Sequence, residues 1–187
     1  MAKRIDPSIL SPMRSWSSDL SLDDIDWTII FTNLFNSFSN NHKLIQYQYK
    51  LLHRISTCRY MRFRMKIEKD SPICSLCNNS FETITHIFIN CAATNSFIQR
   101  VNLFIKTSID ESYDDPLRYY LICLSHSDNR VNLINSVSCW FIGKSFQNKE
   151  VLVWERYLKH LKLFLLGEKT GTARGLNEQI PWVLDPP

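Results

Sequence analysis

Four residues of this chain have the types and spacing of metal ligands: Cys74, Cys77, His86 and Cys91, in the pattern C-x2-C-x8-H-x4-C. Thiolate and imidazole groups bind Zn²⁺ tetrahedrally, and two Cys two residues apart form half of such a site on a tight turn. His86 and Cys91 follow closely enough to complete the set. Because four protein ligands leave no position for a catalytic water, the pattern predicts a structural zinc site.

The residues alone leave three alternatives to a zinc site. Cys74 and Cys77 could form a redox disulfide, although His86 and Cys91 would then have no role. The four could instead be independent core residues, since free Cys is readily buried. The third alternative is a degraded site that no longer binds metal. A Cys pair followed by His and Cys favours zinc over all three.

The composition is that of one compact globular domain with tails. The 187 residues are 44% apolar and 12% aromatic, and only 4 are Gly, which favours helices over a sandwich or barrel. No apolar run reaches membrane-spanning length, and the start MAKRIDPSIL lacks the apolar stretch of a signal peptide. We therefore expect an intracellular, non-secreted protein in which Cys58, Cys123 and Cys139 are core or spare thiols.

Positive charge is concentrated in one segment. The net charge is only +4, yet the single acid between positions 42 and 69, Glu68, stands against eight cations. Such asymmetry indicates an anionic partner for this segment, and a solvated helix face is the alternative. The cations are Lys43, Lys50, Arg54, Arg59, Arg62, Arg64, Lys66 and Lys69.

Apolar periodicity predicts an all-α fold, a compact domain of about six to eight helices with the CCHC zinc-binding turn embedded in it. We expect an irregular segment at 1–20, a helical domain at 21–166 with its zinc module at 70–93, and a flexible tail at 167–187. Residues 58–66 form either a short helix or turn, or a strand. The other predicted helices run from Ser21 to Asn40 and over 42–57, 82–89, 94–107, 117–125, 131–146 and 148–166.

Residues at a 3.6-residue period predict the inward face of each helix. The zinc pattern adds a constraint, because residues five apart lie about 140° apart on an ideal helix. His86 and Cys91 can share a metal only if the helix stops between them, at Asn90. The predicted inward residues, together with a docked Trp16 and Leu20, are Trp27, Ile30, Phe31, Leu34, Phe35 and Phe38; Leu44, Tyr47, Leu51, Leu52 and Ile55; Phe97, Val101, Phe104 and Ile105; Ile134, Val137, Trp140 and Phe141; and Val151, Trp154, Leu158, Leu161 and Leu165.

The ordered motifs around the predicted ligands resemble the C-terminal zinc-binding region of LINE-type (non-LTR) retrotransposon reverse transcriptases. In that family a helix with an aromatic-rich L-H-R-I stretch leads into a basic segment, a D-S-P-x-C-x-x-C turn and a helix of the form E-T-x-x-H-x-F-x-x-C. Ala92 departs from the Pro that often follows the last Cys, and the tail from Gly167 has no counterpart. The matching residues are Tyr49, Leu52, His53, Arg54, Ile55, Asp70, Ser71, Pro72, Cys74, Cys77, Glu82, Thr83, His86, Phe88 and Cys91, with looser likeness at Trp16, Leu20, Trp27, Lys149, Trp154 and Leu158.

This resemblance implies nucleic-acid binding without catalysis, since the region lies beyond the polymerase domain of a long polyprotein and is thought to help hold template RNA or target DNA. It implies Zn²⁺ as cofactor, and RNA or DNA and the polymerase part of a parent polyprotein as partners. It implies no membrane or small-molecule substrate, and a nuclear location with a cytoplasmic ribonucleoprotein as the alternative. The candidate nucleic-acid contacts are Lys43, Lys50, His53, Arg54, Arg59, Tyr60, Arg62, Arg64 and Lys66.

We do not expect this chain to be an enzyme. Tyr113, Asp114 and Asp115 have the wrong spacing for the Y-x-D-D hairpin of a polymerase, which must hold two Mg²⁺ ions with a further Asp. They predict an acidic loop in which Asp115 caps a helix that begins at Pro116. The GEKTG run at 167–171 lacks the spacing of a phosphate-binding loop.

Several aromatic residues in the basic segment have two interpretations. Tyr47 and Phe63 are expected in the core, whereas Tyr49 and Tyr60 remain open as stacking partners for bases. His53 is expected to be partly buried and satisfied rather than a phosphate contact. Two competing functions are a zinc-stabilised helical protein-interaction scaffold and a truncated retroelement relic without activity.

Overall fold

The computed structural model describes residues 10–21, 25–36, 41–113, 121 and 126–169. Within these ranges every regular element is helical, which confirms the predicted all-α class. The one strand-like feature of the described chain is an isolated antiparallel bridge between Ile73 and Phe81. The elements are α1 (Ser11–Leu20), α2 (Trp27–Asn36), α3 (His42–Leu52), α4 (Arg59–Arg64), a π-helical turn (His86–Asn90), α5 (Ala92–Ser108), α6 (Asn129–Asn148) and α7 (Trp154–Lys169).

Helix α6 is the central element. Helices α3, α5 and α7 and the π-turn pack against it, and its residues from Val131 to Phe146 are buried almost without interruption. Both ends of α6 are defined locally. The Asp128 side chain accepts the backbone N–H of Arg130 at 2.8 Å, and Lys149 ends the helix with a left-handed φ of 58°. A helix buried on nearly all sides fixes where its neighbours can lie.

Two buried polar residues of α6, Ser138 and Asn132, have specific partners. Ser138 Oγ donates to the Ile134 carbonyl at 2.8 Å and lies 2.9 Å from the hydroxyl of Tyr157 on α7. Asn132 accepts from the backbone N–H of His126 at 2.8 Å and donates back to its carbonyl at 2.9 Å. Because buried polar groups are costly without partners, the bond between Ser138 and Tyr157 restricts the rotation of α6 against α7.

Gly143 allows α3 to approach α6 closely. A Cβ at this position would lie 1.5 Å from Tyr47 Oη and 2.5 Å from Tyr47 Cζ, so the tyrosine ring occupies the space that a side chain would need. Burial raises the pKa of the Tyr47 phenol well above its ordinary value. The expectation that Tyr47 packs in the core is confirmed.

Most of the predicted inward faces are confirmed. The side chains of Phe35 and Phe38 fall outside what the structure describes. In α3 the predicted Leu44, Leu51 and Leu52 are buried. The other predicted residues found buried are Trp27, Ile30 and Leu34 in α2, Phe97, Val101 and Ile105 in α5, Ile134, Val137 and Phe141 in α6, and Leu161 and Leu165 in α7, with Phe31, Phe104, Trp140, Trp154 and Leu158 partly buried against them.

The second predicted helix is shorter than expected. Helix α3 ends at Leu52 rather than at residue 57, because Arg54 adopts a left-handed φ of 54°. The N–H of Ile55 then donates to the Lys50 carbonyl at 3.0 Å, and the N–H of Arg54 donates to the Leu51 carbonyl at 2.9 Å. These two bonds close the helix end. Ile55, predicted to face inward, is therefore 60% exposed.

The prediction of an irregular segment at 1–20 is wrong for Ser11–Leu20, which forms α1. Pro12 lies in the first turn, where a missing backbone N–H breaks no helical bond. Trp16 docks as expected, since it is fully buried and its Nε1 donates to the Leu52 carbonyl at 3.0 Å.

The last helix is also displaced from its predicted position. Helix α7 begins at Trp154, which leaves Val151 70% exposed, and it continues through Lys169, so the predicted tail starts as helix. The rest of that tail, and the predicted helix at 117–125 apart from the buried Leu121, lie outside the described residues. No helix in the described part of the chain is long and apolar enough to cross a membrane.

Replacing Gly143 by Ala tests the close approach of α3 to α6. Because the added Cβ would overlap the Tyr47 ring severely, overpacking should cost about 3 kcal/mol, and the better helix propensity of Ala returns about 1 kcal/mol, so we expect a net loss of about 2 kcal/mol. Urea unfolding followed by circular dichroism measures it. The double variant with Tyr47→Phe removes the nearest atom and should recover part of the loss. Unchanged stability of Gly143→Ala would contradict the contact.

Candidate metal centre

The first two predicted ligands lie on a tight turn closed by backbone hydrogen bonds. The N–H of Cys74 donates to the Ser80 carbonyl at 2.8 Å, and that of Asn78 donates to the Cys74 carbonyl at 3.0 Å. Asn78 has a left-handed φ of 54°, a conformation that Asn tolerates better than most residues. The turn therefore brings the Cys74 and Cys77 side chains to one side.

The other two ligands are brought together by the π-turn. His86–Asn90 is wound as a π-helix, and its closing bond runs from the Cys91 N–H to the His86 carbonyl at 2.8 Å. Because a π-turn joins residues five apart, it places Cys91 beside His86, which an ideal α-helix would not do. The helix ends at Asn90 as expected, and Cys91 is extended. Glu82 and Thr83 precede the helical turns rather than belonging to them.

The four side chains converge on one point. The Sγ atoms of Cys74, Cys77 and Cys91 and a ring nitrogen of His86 lie within 4.8 Å of one another. Cys74 Sγ and Cys91 Sγ are 4.0 Å apart, and Cys77 Sγ and His86 Nε2 are 3.3 Å apart. An ion bound tetrahedrally to sulfur and nitrogen needs separations of about 3.8 and 3.6 Å. The cluster could therefore hold a metal ion after small adjustments.

The side chains of the cluster differ in how readily they reach the protonation state that a metal ligand needs. Burial raises the pKa of the Cys74 thiol to about 12. Burial acts to raise the pKa of Cys77, but hydrogen bonds from the Asn79 and Ser80 backbone and from the Cys74 and Cys91 thiols outweigh it. The pKa of Cys77 is therefore lowered. Burial lowers the pKa of His86, which keeps its imidazole neutral as a ligand must be. A bound cation would supply the charge that ionises the buried thiol.

Glu82 joins the ligand turn to α4. Its buried carboxylate accepts the N–H of Arg59 at 3.1 Å through one oxygen and that of Ser75 at 3.4 Å through the other. The Glu82 carbonyl also accepts the N–H of Tyr60 at 3.2 Å. Arg59 returns a bond from Nη1 to the Ile73 carbonyl at 3.1 Å. The position of α4 is therefore coupled to the turn that holds Cys74 and Cys77.

Arg54, a predicted nucleic-acid contact, is engaged within the protein. Its guanidinium pairs with Asp19 on α1 and lies 4.0 Å from the centroid of the Trp16 ring. Thr85 Oγ1 donates to the same Asp19 carboxylate at 2.8 Å. Asp19 thus links α1, the end of α3 and the start of the helical turns that carry His86.

Two further predicted contacts surround the buried carboxylate of Glu68. Arg59 lies 4.0 Å from it and Arg62 3.6 Å, while Lys149 from the end of α6 reaches it at 3.6 Å. Arg59 and Arg62 therefore balance a buried charge. The sequence did carry a signal for this cluster, since Glu68 is the single acid in the cationic segment.

Lys43, Lys50, Arg64 and Lys66, by contrast, are exposed. No ion pair joins any of these four to another described residue. Lys43 and Lys50 lie on α3, while Arg64 and Lys66 lie at the end of α4, where Lys66 has a left-handed φ of 60°. These cations are available to an anionic partner.

The aromatic candidates divide differently than expected. Phe63, expected in the core, is 40% exposed, because α4 is only six residues long and has no buried residue. Tyr60 is half-buried with its ring 5.4 Å from that of Phe81. His53 packs on the rings of Phe31 at 5.3 Å and Tyr49 at 4.4 Å, and burial lowers its pKa.

Of the three residues compared with a polymerase hairpin, the structure describes only Tyr113. Tyr113 is buried, and its hydroxyl donates to Asn135 Oδ1 at 3.1 Å. Asp114 and Asp115 fall outside the described residues.

Cys77→Ala should reduce the metal that copurifies with the protein. Loss of one ligand should weaken affinity by more than the roughly 10–100-fold typical of losing an outer hydrogen-bond partner. Amide exchange should accelerate across residues 70–93 while α7 stays protected, because α7 packs on α6. Elemental analysis and hydrogen exchange measure both effects. The control is Cys58→Ala, a buried thiol outside the cluster; equal metal content in the two variants would contradict the site.

Comparison with known proteins found no matching family model, curated protein or solved structure. The resemblance to the retrotransposon region therefore rests on the sequence motifs themselves, above all those within residues 47–91. The function has to be argued from those motifs and from the geometry of the cluster and its surroundings.

Proposed function

We propose that this chain is a non-catalytic, nucleic-acid-binding module in which a structural Zn²⁺ orders a cationic surface. One observation carries the proposal: the hydrogen bonds through Glu82 and Arg59 that join the ligand turn to α4. They make the position of α4 depend on the loop that a metal would fix. The resemblance to the C-terminal region of retrotransposon reverse transcriptases supports nucleic acid as the partner.

Zinc is the ion that best fits the donor set. Three thiolates and one imidazole are soft and borderline donors, which favour Zn²⁺ over Mg²⁺ or Ca²⁺. Four protein ligands fill a tetrahedral shell and leave no position for a reacting water, so the ion's role is structural. Zn²⁺ would link the turn of Cys74 and Cys77 to the π-turn of His86 and Cys91.

The α4 surface, which we define as Met61, Phe63, Arg64, Met65 and Lys66, has the mixed chemistry that a single strand requires. Among its apolar side chains, Met61 is 45% exposed, Phe63 40% and Met65 59%. Its two cations would neutralise phosphates, and the Phe63 ring offers a face for an unstacked base. In this proposal RNA or DNA lies along α4, in a nuclear ribonucleoprotein that includes the polymerase part of a parent polyprotein.

A zinc-stabilised protein-interaction scaffold is the second candidate. The same exposed Met61, Phe63 and Met65, with Ile67 at 58% and Phe81 at 53% exposure, would also suit a partly acidic protein surface. The two functions differ in their salt dependence, because binding to a polyanion releases counterions and binding through apolar contacts does not.

The double variant Arg64→Gln/Lys66→Gln tests the α4 surface. If both cations contact phosphates, the log–log salt slope for labelled oligouridine should become less steep by about 1.4, since each contact to a single strand contributes about 0.7. Fluorescence anisotropy across a KCl series measures it, with oligothymidine DNA in parallel. The matched control is Lys106→Gln, an exposed lysine on α5. Wild-type binding that ignores salt would favour the scaffold.

Glu82→Ala separates metal binding from the placement of α4. The variant keeps all four ligands but removes the acceptor of the Arg59 and Ser75 N–H groups. We expect unchanged metal content, faster amide exchange in α4, and affinity for oligouridine several-fold lower, because an unanchored α4 must be ordered on binding. Glu82→Gln, which retains one acceptor oxygen, should be intermediate. Faster exchange in α4 with undiminished affinity would show that its placement does not matter.

A further inference from the structure

A second cationic feature lies where α3 meets α6. A cleft of about 580 Å³ is bordered by residues of α3 and of the C-terminal half of α6. Lys43 and Lys50 line it from α3 and Lys144 lines it from α6, with Ser56 and Thr57 from the connecting segment. No acidic residue is among the described residues that line this lysine cleft. Its volume lies within the roughly 300–1,000 Å³ range of ligand sites.

The three lysines of the cleft remain accessible in the folded protein. Lys43, Lys50 and Lys144 are all exposed, and none pairs with a carboxylate in the described part of the chain. Lys144 Nζ donates to Gln147 Oε1 at 3.3 Å, which holds the ammonium group beside the cleft. Three ammonium groups around one concavity without an acid form a site for an anion with several charged oxygens.

The remaining walls indicate what else the anion carries. Trp140, half-buried, forms one wall, and its ring is held by edge contacts with His160 at 5.1 Å and Phe164 at 5.2 Å between centroids. A fixed aromatic ring beside ammonium groups and hydroxyls matches a base next to a phosphate. Ser56 and Thr57 lie just before Cys58, the N-cap residue of α4, so the cleft is continuous in the chain with the α4 surface.

We propose that the lysine cleft binds a phosphate-bearing nucleotide unit, and that in a strand held on α4 it takes a neighbouring phosphate. The second part rests on the proposed function, whereas the first is a property of the cleft itself. Lys144 is the decisive residue, because it lies on α6, far along the chain from the basic segment that the sequence identified.

The experiment compares Lys144→Glu with Lys106→Glu, a charge reversal on α5 outside the cleft. With labelled oligouridine we expect Lys144→Glu to weaken binding about tenfold and to flatten the log–log salt slope by about 0.7, while Lys106→Glu stays near wild type. Metal content and the thermal midpoint should not change. Lys144→Gln, which only neutralises the charge, should have a smaller effect and serves if the reversal disturbs folding.

Two arms distinguish a strand from a free nucleotide, and the oligouridine comparison above is the first. In the second arm AMP and inorganic phosphate are titrated separately into the holoprotein, and the indole N–H of Trp140 is followed by NMR. A shift with AMP that Lys144→Gln abolishes supports the cleft even if oligouridine does not bind, a result that would overturn only the proposed function. Strand binding equal in Lys144→Glu and Lys106→Glu overturns the contribution of the cleft to the strand. Absence of any Trp140 shift with AMP overturns the cleft as a nucleotide site.

Discussion

Candidate ligand atoms from two separate segments meet at one point, and the backbone between Pro72 and Cys91 brings them there. A left-handed Asn78 allows the first pair of ligands to share a turn, and a π-helical turn allows the second pair to share a side. Neither the left-handed conformation of Asn78 nor the π-helical turn is the lowest-energy backbone conformation for its sequence. The same backbone also bonds Arg59 and Tyr60, so order in the ligand loop and order in α4 have a common origin.

The hydrophobic core is centred on α6 and continues into the ligand loop through Ile87 and Phe88 of the π-turn. Helix α6 is surrounded by α3, α5 and α7, and its buried Asn132 and Ser138 have specific partners. Asp19 and Glu68 connect the two parts, the first by joining α1 to Thr85 and the second by joining α4 to the end of α6. One side of the fold therefore surrounds a cluster that could hold a metal ion, and the rest is held by apolar packing.

The sequence predicts what depends on local periodicity and misses what depends on partners distant along the chain. The inward faces of α2, α5 and α6 follow from a 3.6-residue repeat, as Trp27, Ile30 and Leu34 illustrate. Ile55 was misplaced because α3 ends at a left-handed Arg54, where no Gly or Asn signals a stop. Phe63 was misplaced because α4 is too short to have a buried side.

The candidate site shows the same division. The four ligands and their convergence are predictable, and the five-residue gap between His86 and Cys91 even exposes the conflict that the π-turn resolves. Which cations remain available is not predictable, because Arg54 and Arg59 are paired with Asp19 and Glu68 through the tertiary fold. Counting charges along the segment therefore overestimates the cationic surface.

The central position of α6 affects the order of events during synthesis. Helices α3 and α5 are synthesised before Asn148, the last residue of the helix against which they pack, has been added. At roughly 5–20 residues per second, their apolar faces wait several seconds for that partner. Until α6 emerges, the faces of α3 and α5 that pack on it have no partner there, whatever the metal supply of the cell.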